Sequence, residues 1–198
     1  MDKIKRVCLT LDDFSDEINA LEVLDRFHNY FFNFKVTVFA IPTRCSPEFF
    51  EYVKKYFLYL EIAQHGYLHY VDEFGNSGYE KARHLIKKGK REDMVKGWKS
   101  PGWKTSKDTY KALKDLGYWV AVNTKKYREI EPPEGIKYYE HNCTFDGLKE
   151  FQGEELKIQG HIHEAAKDSV YRHFKVFEEV VDRDAEFLFA SELLQVKE

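Results

Sequence analysis

Short runs rich in β-branched and aromatic residues alternate along this chain with stretches of helical periodicity, and that alternation restricts the fold more than any other feature. The runs are VCLTL (7–11), VTVFAI (36–41), YLEIA (59–63), YWVAVNT (118–124), IKYYE (136–140), LKIQGHIH (156–163) and EFLFA (186–190), each read as a strand. Between them, 16–32 carries Ile18, Leu21, Leu24, Phe27 and Phe31 at helical spacing. A second helix, 46–57, opens with Ser46 as N-cap and Pro47 at its first position. A third runs from a capping Ser106 to Gly117, and 168–182 is the last amphipathic stretch. Strands joined by helical crossovers run parallel, so the expectation is an α/β fold. The 198 residues show no repeat, low-complexity segment or linker, which predicts a single domain over 1–198. KGWKSPGW (96–103) holds a shorter strand end, and KKGKRED (87–93) reads as a solvated loop.

Several classes are excluded. Lys+Arg total 31 against 34 Asp+Glu, a net charge of −3 that argues against an electrostatic nucleic-acid binder. No apolar run approaches the ~18 residues needed to span a bilayer, and MDKIKRVCLTLDDF lacks the apolar core of a secretion signal. Cys8, Cys45 and Cys143 are odd in number and scattered, which suits reduced thiols, so a cytoplasmic protein is expected. HNC (141–143) offers an imidazole and a thiolate, but no C-x-x-C accompanies it. The 16 Phe, 13 Tyr and 3 Trp are enough to fill a core and also to line a sugar cleft.

Parallel α/β sheets bind ligands at the carboxyl ends of their strands. Asp12 and Asp13 follow the first run, His65 the third, and His161 and His163 end LKIQGHIH, with Lys99 at the shorter strand end. His65 and His69 in AQHGYLH stand four apart, the spacing that puts two imidazoles on one face of a helical turn. Adjacent residues on an extended chain point to opposite sides, so one carboxylate of the LDD pair can ligate a metal while the other acts as a base. The same pair, in DDFSDE, also suits a helix cap. With two histidines, Asp13 completes a two-histidine, one-carboxylate set that leaves coordination positions open.

In this order the motifs resemble the polysaccharide deacetylase superfamily (NodB homology, carbohydrate esterase family 4). TLDDF (10–14) resembles T-F-D-D-G, and HGYLH (65–69), preceded by EIAQ, resembles its H-x-x-x-H. VTVFAIP (36–42) is similar to the A-T-F-F strand, KSPGW (99–103) to R-x-P with an aromatic residue, and IQGHIHE (158–164) to a strand ending in W-G-H-x-x-E. The resemblance implies a distorted (β/α) barrel of fewer than eight strands. It implies a divalent metal on Asp13, His65 and His69, zinc first, with cobalt, nickel or iron as alternatives. It implies hydrolysis of an N-acetyl (or O-acetyl) group of an amino-sugar or other small or oligomeric saccharide. Asp12 would be the base and His161 the acid, with His163 as its alternative or as a substrate contact. Backbone N–H groups at Gly102 would hold the oxyanion, and Trp103 and Tyr67 would stack on a sugar ring. Three positions depart from the pattern. Phe14 replaces a glycine, Lys99 replaces the arginine that pairs with the base, and LGYWVAVNT (116–124) lacks the expected carboxylate. A degenerate relative that binds a saccharide or a metal without turnover is therefore the alternative.

Overall fold

The structure is a computed structural model that describes residues 3–16 and 21–196. Its strands are β1 (Ile4–Phe14), β2 (Val36–Ala40), β3 (Leu60–His65), β4 (Gly97–Lys99), β5 (Trp119–Val122), β6 (Tyr138–Glu140), β7 (Cys143–Thr144), β8 (Glu155–His161) and β9 (Val181–Phe187). They form one sheet in the order β6-β5-β4-β3-β2-β1-β8-β7, with β9 on β1, and every pairing is parallel. β6 and β7 stand at opposite ends of that order, yet only His141 and Asn142 separate them in sequence. A chain reaches at most ~3.6 Å per residue, so the two ends must approach and the sheet curls into a barrel with an unpaired seam. The distorted (β/α) barrel is the expected architecture. The strand count exceeds the expected number through the two-residue β7 and through β9, which takes the lower edge of β1 that β2 leaves open.

The helices are α1 (Leu21–Tyr30), α2 (Pro47–Tyr56), α3 (Tyr79–Gly89), α4 (Lys107–Asp115), α5 (Val170–Val180) and α6 (Ala190–Leu193). Ser46 Oγ accepts the Phe49 N–H at 3.3 Å and Ser106 Oγ that of Thr109 at 3.0 Å, so both expected caps form. Ile18, read as part of the first helix, lies outside the described residues. α3 was not expected, and the basic 87–93 stretch is in part its last turn, not a loop throughout. EFLFA is also reassigned, because β9 starts at Val181 and a helix begins at Ala190.

Phe27 meets Phe174 edge-on at 4.6 Å and Phe177 at 5.3 Å, locking α1 onto α5. Fully burying such a ring contributes about 1.5–3 kcal/mol. Inside the barrel Cys8, Phe39, Ala63, Trp119, Ala121 and Tyr139 form a separate cluster. Gly97 is required there, because a Cβ would stand 2.2 Å from the Trp119 ring. Among the described residues no helix is long and apolar enough to cross a membrane.

Candidate functional site

Register assembles the site. The β1–β8 ladder sets Asp12 beside His161, and the β3–β4 ladder sets His65 beside Lys99. The β1–β2 ladder breaks between Leu11 and Phe14, where Asp13 adopts φ 66°. This left-handed residue turns the strand, so both carboxylates reach the mouth of the barrel. Phe14, in place of the glycine, is fully buried and packs 5.3 Å from Phe49. His65 and His69 do not share a helical turn. His65 ends β3, and the chain folds back through Gly66 (φ 60°) and His69 (φ 68°). Glu73 organises that turn, its buried carboxylate accepting the N–H groups of Tyr67, Leu68 and His69 at 3.0, 2.8 and 3.1 Å. A Cβ at Gly66 would lie 2.6 Å from Pro101 and 2.8 Å from Glu73, so glycine is required.

Asp13 Oδ1 lies 3.4 Å from His65 Nε2 and 2.8 Å from His69 Nε2, and one ligand atom from each of the three residues falls within 4.8 Å of the others. Oδ1 is nonetheless buried with no hydrogen-bond partner among the described residues, because these approaches lack hydrogen-bond geometry. His65 Nδ1 faces the Lys99 carbonyl at 3.1 Å, and a carbonyl only accepts, so Nδ1 carries the proton. Nε2 is then the nitrogen left to face the carboxylate oxygen, and an unprotonated Nε2 there is repelled unless a cation stands between them. Burial works to raise the Asp13 pKa, but His65 and His69 outweigh it and hold the carboxyl well below the usual range. Two imidazole nitrogens and one carboxylate oxygen fit a divalent ion of the zinc type. This is the only such donor group among the described residues, and HNC contributes nothing to it.

Beside it lies a second network. Lys99 Nζ stands 2.7 Å from Asp12 Oδ1 and 2.5 Å from Oδ2, and Gln159 Nε2 donates to Oδ2 at 3.3 Å. Lys99 is 1% exposed, and burial lowers its pKa against the pull of Asp12. Its ammonium also lies 3.8 Å from the centre of the Trp103 ring. His161 Nε2 is 4.0 Å from Asp12 Oδ2, while its Nδ1 is 2.8 Å from Asp168 Oδ1. Burial works to lower the His161 pKa, but the Asp168 hydrogen bond and the Asp12 charge raise it. Asp168 was missed because it comes from the loop before α5, where sequence periodicity starts a helix. Gln159 and Glu73 carry no motif signal either.

The expected substrate contacts divide. Trp103 lines a cavity of about 650 Å³ together with Asn123, Tyr127, His141, Gln152 and Gln159. His141, read from sequence only as the imidazole of HNC, lies 5.3 Å from the Trp103 ring, and burial lowers its pKa to about 4. Tyr67 is turned away from this cavity, against the core around Phe74, with Lys88 Nζ 5.2 Å from its ring. Gly102 (φ 59°) meets Val71, where a Cβ would come within 2.7 Å. His163 does not line the cavity, and its Nε2 lies 3.0 Å from Asp13 Oδ2.

No protein-family model and no curated protein matches the sequence. Solved structures do match. The Bc1960 peptidoglycan N-acetylglucosamine deacetylase is 15% identical over 97% of this chain and 89% of its own, with a TM-score of 0.68. A family 4 acetyl xylan esterase from Clostridium thermocellum, solved with a cobalt ion, is 16% identical over 97% and 91%, with a TM-score of 0.63. BA3943, a family 4 pseudoenzyme from Bacillus anthracis, is 14% identical over 96% of this chain and 66% of its own, also at 0.63. At such identities the likeness establishes the fold. It is the fold of the polysaccharide deacetylases, the family 4 carbohydrate esterases.

Proposed function

We propose that this chain is a metal-dependent hydrolase that removes an acetyl group from the nitrogen of an amino-sugar, or from the oxygen of a related saccharide. The observation that carries this reading is the juxtaposition of the Asp13–His65–His69 donor set with the paired Asp12–Lys99 and His161–Asp168 networks. An ion held by the donor set, zinc first, with cobalt, nickel or iron as alternatives, supplies Lewis-acid polarisation and an acidified water. Asp12 takes the proton of the attacking water, and Lys99 and Gln159 hold its carboxylate in place. His161, kept protonated by Asp168, delivers a proton to the departing nitrogen. Trp103 offers a face for a sugar ring, and the amides of Asn123 and Gln152 suit its hydroxyls. Backbone N–H groups near Gly102 remain the proposed oxyanion donors, but the Trp103 N–H is already donated to the Ser100 carbonyl at 3.1 Å.

The test is acetate release from N-acetylglucosamine oligomers and from an acetylated xylan. Release should disappear on chelation and return with zinc or cobalt. Asp12→Asn or His161→Gln should each slow it by about 10²–10⁴-fold. The second reading is a binding protein without turnover, motivated by Lys99 and by the carboxylate that LGYWVAVNT (116–124) lacks. Asp168 weakens it by supplying a carboxylate to His161 from another segment. Saccharide binding by the metal-loaded chain with no acetate released would make the second reading the right one.

A further inference from the structure

We propose that His163 is a positioning residue for Asp13, holding Oδ2 so that Oδ1 alone is presented to the metal. The proposal rests on the metal reading above. The three imidazoles divide between the two oxygens, with His65 and His69 at Oδ1 and His163 at Oδ2, 3.0 Å away. The chain places His163 there by a local device. β8 ends at His161, the Ile162 N–H donates to the Asp12 carbonyl at 3.2 Å, and the Ile162 side chain is buried in the core. His163 is thereby carried back over the end of β1 and onto Asp13. Asp13 needs such a support because it sits in the left-handed region, φ 66°, where the strand ladder no longer constrains it. With His163 Nε2 at ion-pair distance from Oδ2, rotation of the carboxylate away from the ion is opposed, and outer partners of a ligating carboxylate carry about 10–100-fold in metal affinity.

The experiment titrates the metal-free chain with cobalt, reading the visible spectrum and competing with a chelator. His163→Gln keeps a nitrogen donor near the position of the imidazole Nε2, and His163→Leu removes it. The side chain is 36% exposed, so both variants should fold, and matching thermal unfolding of the metal-free proteins checks this. The expected result is an affinity lowered about 10–100-fold in His163→Leu and restored toward wild type in His163→Gln, with the cobalt spectrum unchanged. Equal affinity in all three overturns the proposal. Equal losses in both variants with a shifted spectrum overturn it too, by making His163 a ligand. A wild-type chain that takes up no cobalt sinks the metal reading itself, and the role of His163 falls with it.

Discussion

Two buried charges face each other at the centre of the site, and their pairing is what makes each tolerable. Asp12 is 3% exposed and Lys99 1%. Lys99→Met therefore strands a carboxylate in the interior and should destabilise the fold by about 3–5 kcal/mol, measured by urea unfolding. The resemblance expects arginine here, yet Lys99→Arg puts a larger, planar group between Trp103 and Phe39, whose rings already lie 3.8 and 5.4 Å from the ammonium. Overpacking of this kind costs about 1–3 kcal/mol. An arginine variant as stable as wild type would show that the site has room for it. Asp168 acts on the other side by raising the His161 pKa. That interaction adds stability below the unfolded pKa of histidine and loses it as pH rises through the elevated folded value. The proton His161 donates is lost over the same rise. Asp168→Asn should therefore move the alkaline limb of the rate profile to lower pH. A limb that stays in place would remove Asp168 from the acid's control.

At the level of elements, the strands were legible as short β-branched and aromatic runs, because a parallel sheet buries both faces, and the helices through their 3.6-residue period. Those runs also put Asp12, Asp13, His65 and His161 at strand ends. The devices that bring them together were not legible. A bulge at Asp13, a turn built on Glu73 and a carboxylate delivered from the loop before α5 each depend on a partner that no local pattern names. α3 was obscured because its face is narrow, with Ala82, Ile86 and Gly89 as its buried residues in a strongly charged stretch. The Glu73 turn yields a direct test. Hydrogen bonds to a charged acceptor are worth about 1.5–3 kcal/mol each, and Glu73→Ala removes three at once. Stability should fall by at least about 2 kcal/mol, a drop of roughly 4–8 °C in Tm for a domain of this size. Because His69 hangs on that turn, cobalt affinity should fall in parallel. A variant that loses stability but binds cobalt normally would show that the turn supports the fold without orienting the ligand.

Over the whole molecule, the mouth and the floor of the barrel are closed by different means. The mouth gathers charge around the site, whereas the floor is stoppered by the C-terminal segment. Lys137 Nζ donates to the Leu194 and Gln195 carbonyls at 3.1 and 2.8 Å, tying that segment toward β6. Glu61 does the same for β2 and β3. Its Oε1 accepts from Thr37 Oγ1 at 2.7 Å and the Ser191 N–H at 3.3 Å, while Ser191 Oγ donates to Oε2. Thr37 Oγ1 in turn accepts the Ala190 N–H at 2.9 Å. Burial raises the Glu61 pKa above its ordinary 4.5, and the hydrogen bonds of Ser191 and Thr37 only partly oppose it. A carboxyl raised on folding favours the native state below its unfolded pKa, and that contribution is lost as pH rises through the folded value. Glu61→Gln keeps the shape and abolishes the titration. Its carbonyl can accept from Thr37 and the Ser191 N–H, and its amide can donate to the Ser191 hydroxyl, which also accepts. The difference in unfolding free energy between Glu61→Gln and wild type should therefore move in favour of the variant from acidic to neutral pH. Taking the difference cancels groups that titrate equally in both chains. A difference that stays flat, or that moves in favour of wild type as pH rises, would mean that the floor holds an ionised Glu61 at no cost and that the hydrogen bonds outweigh its burial.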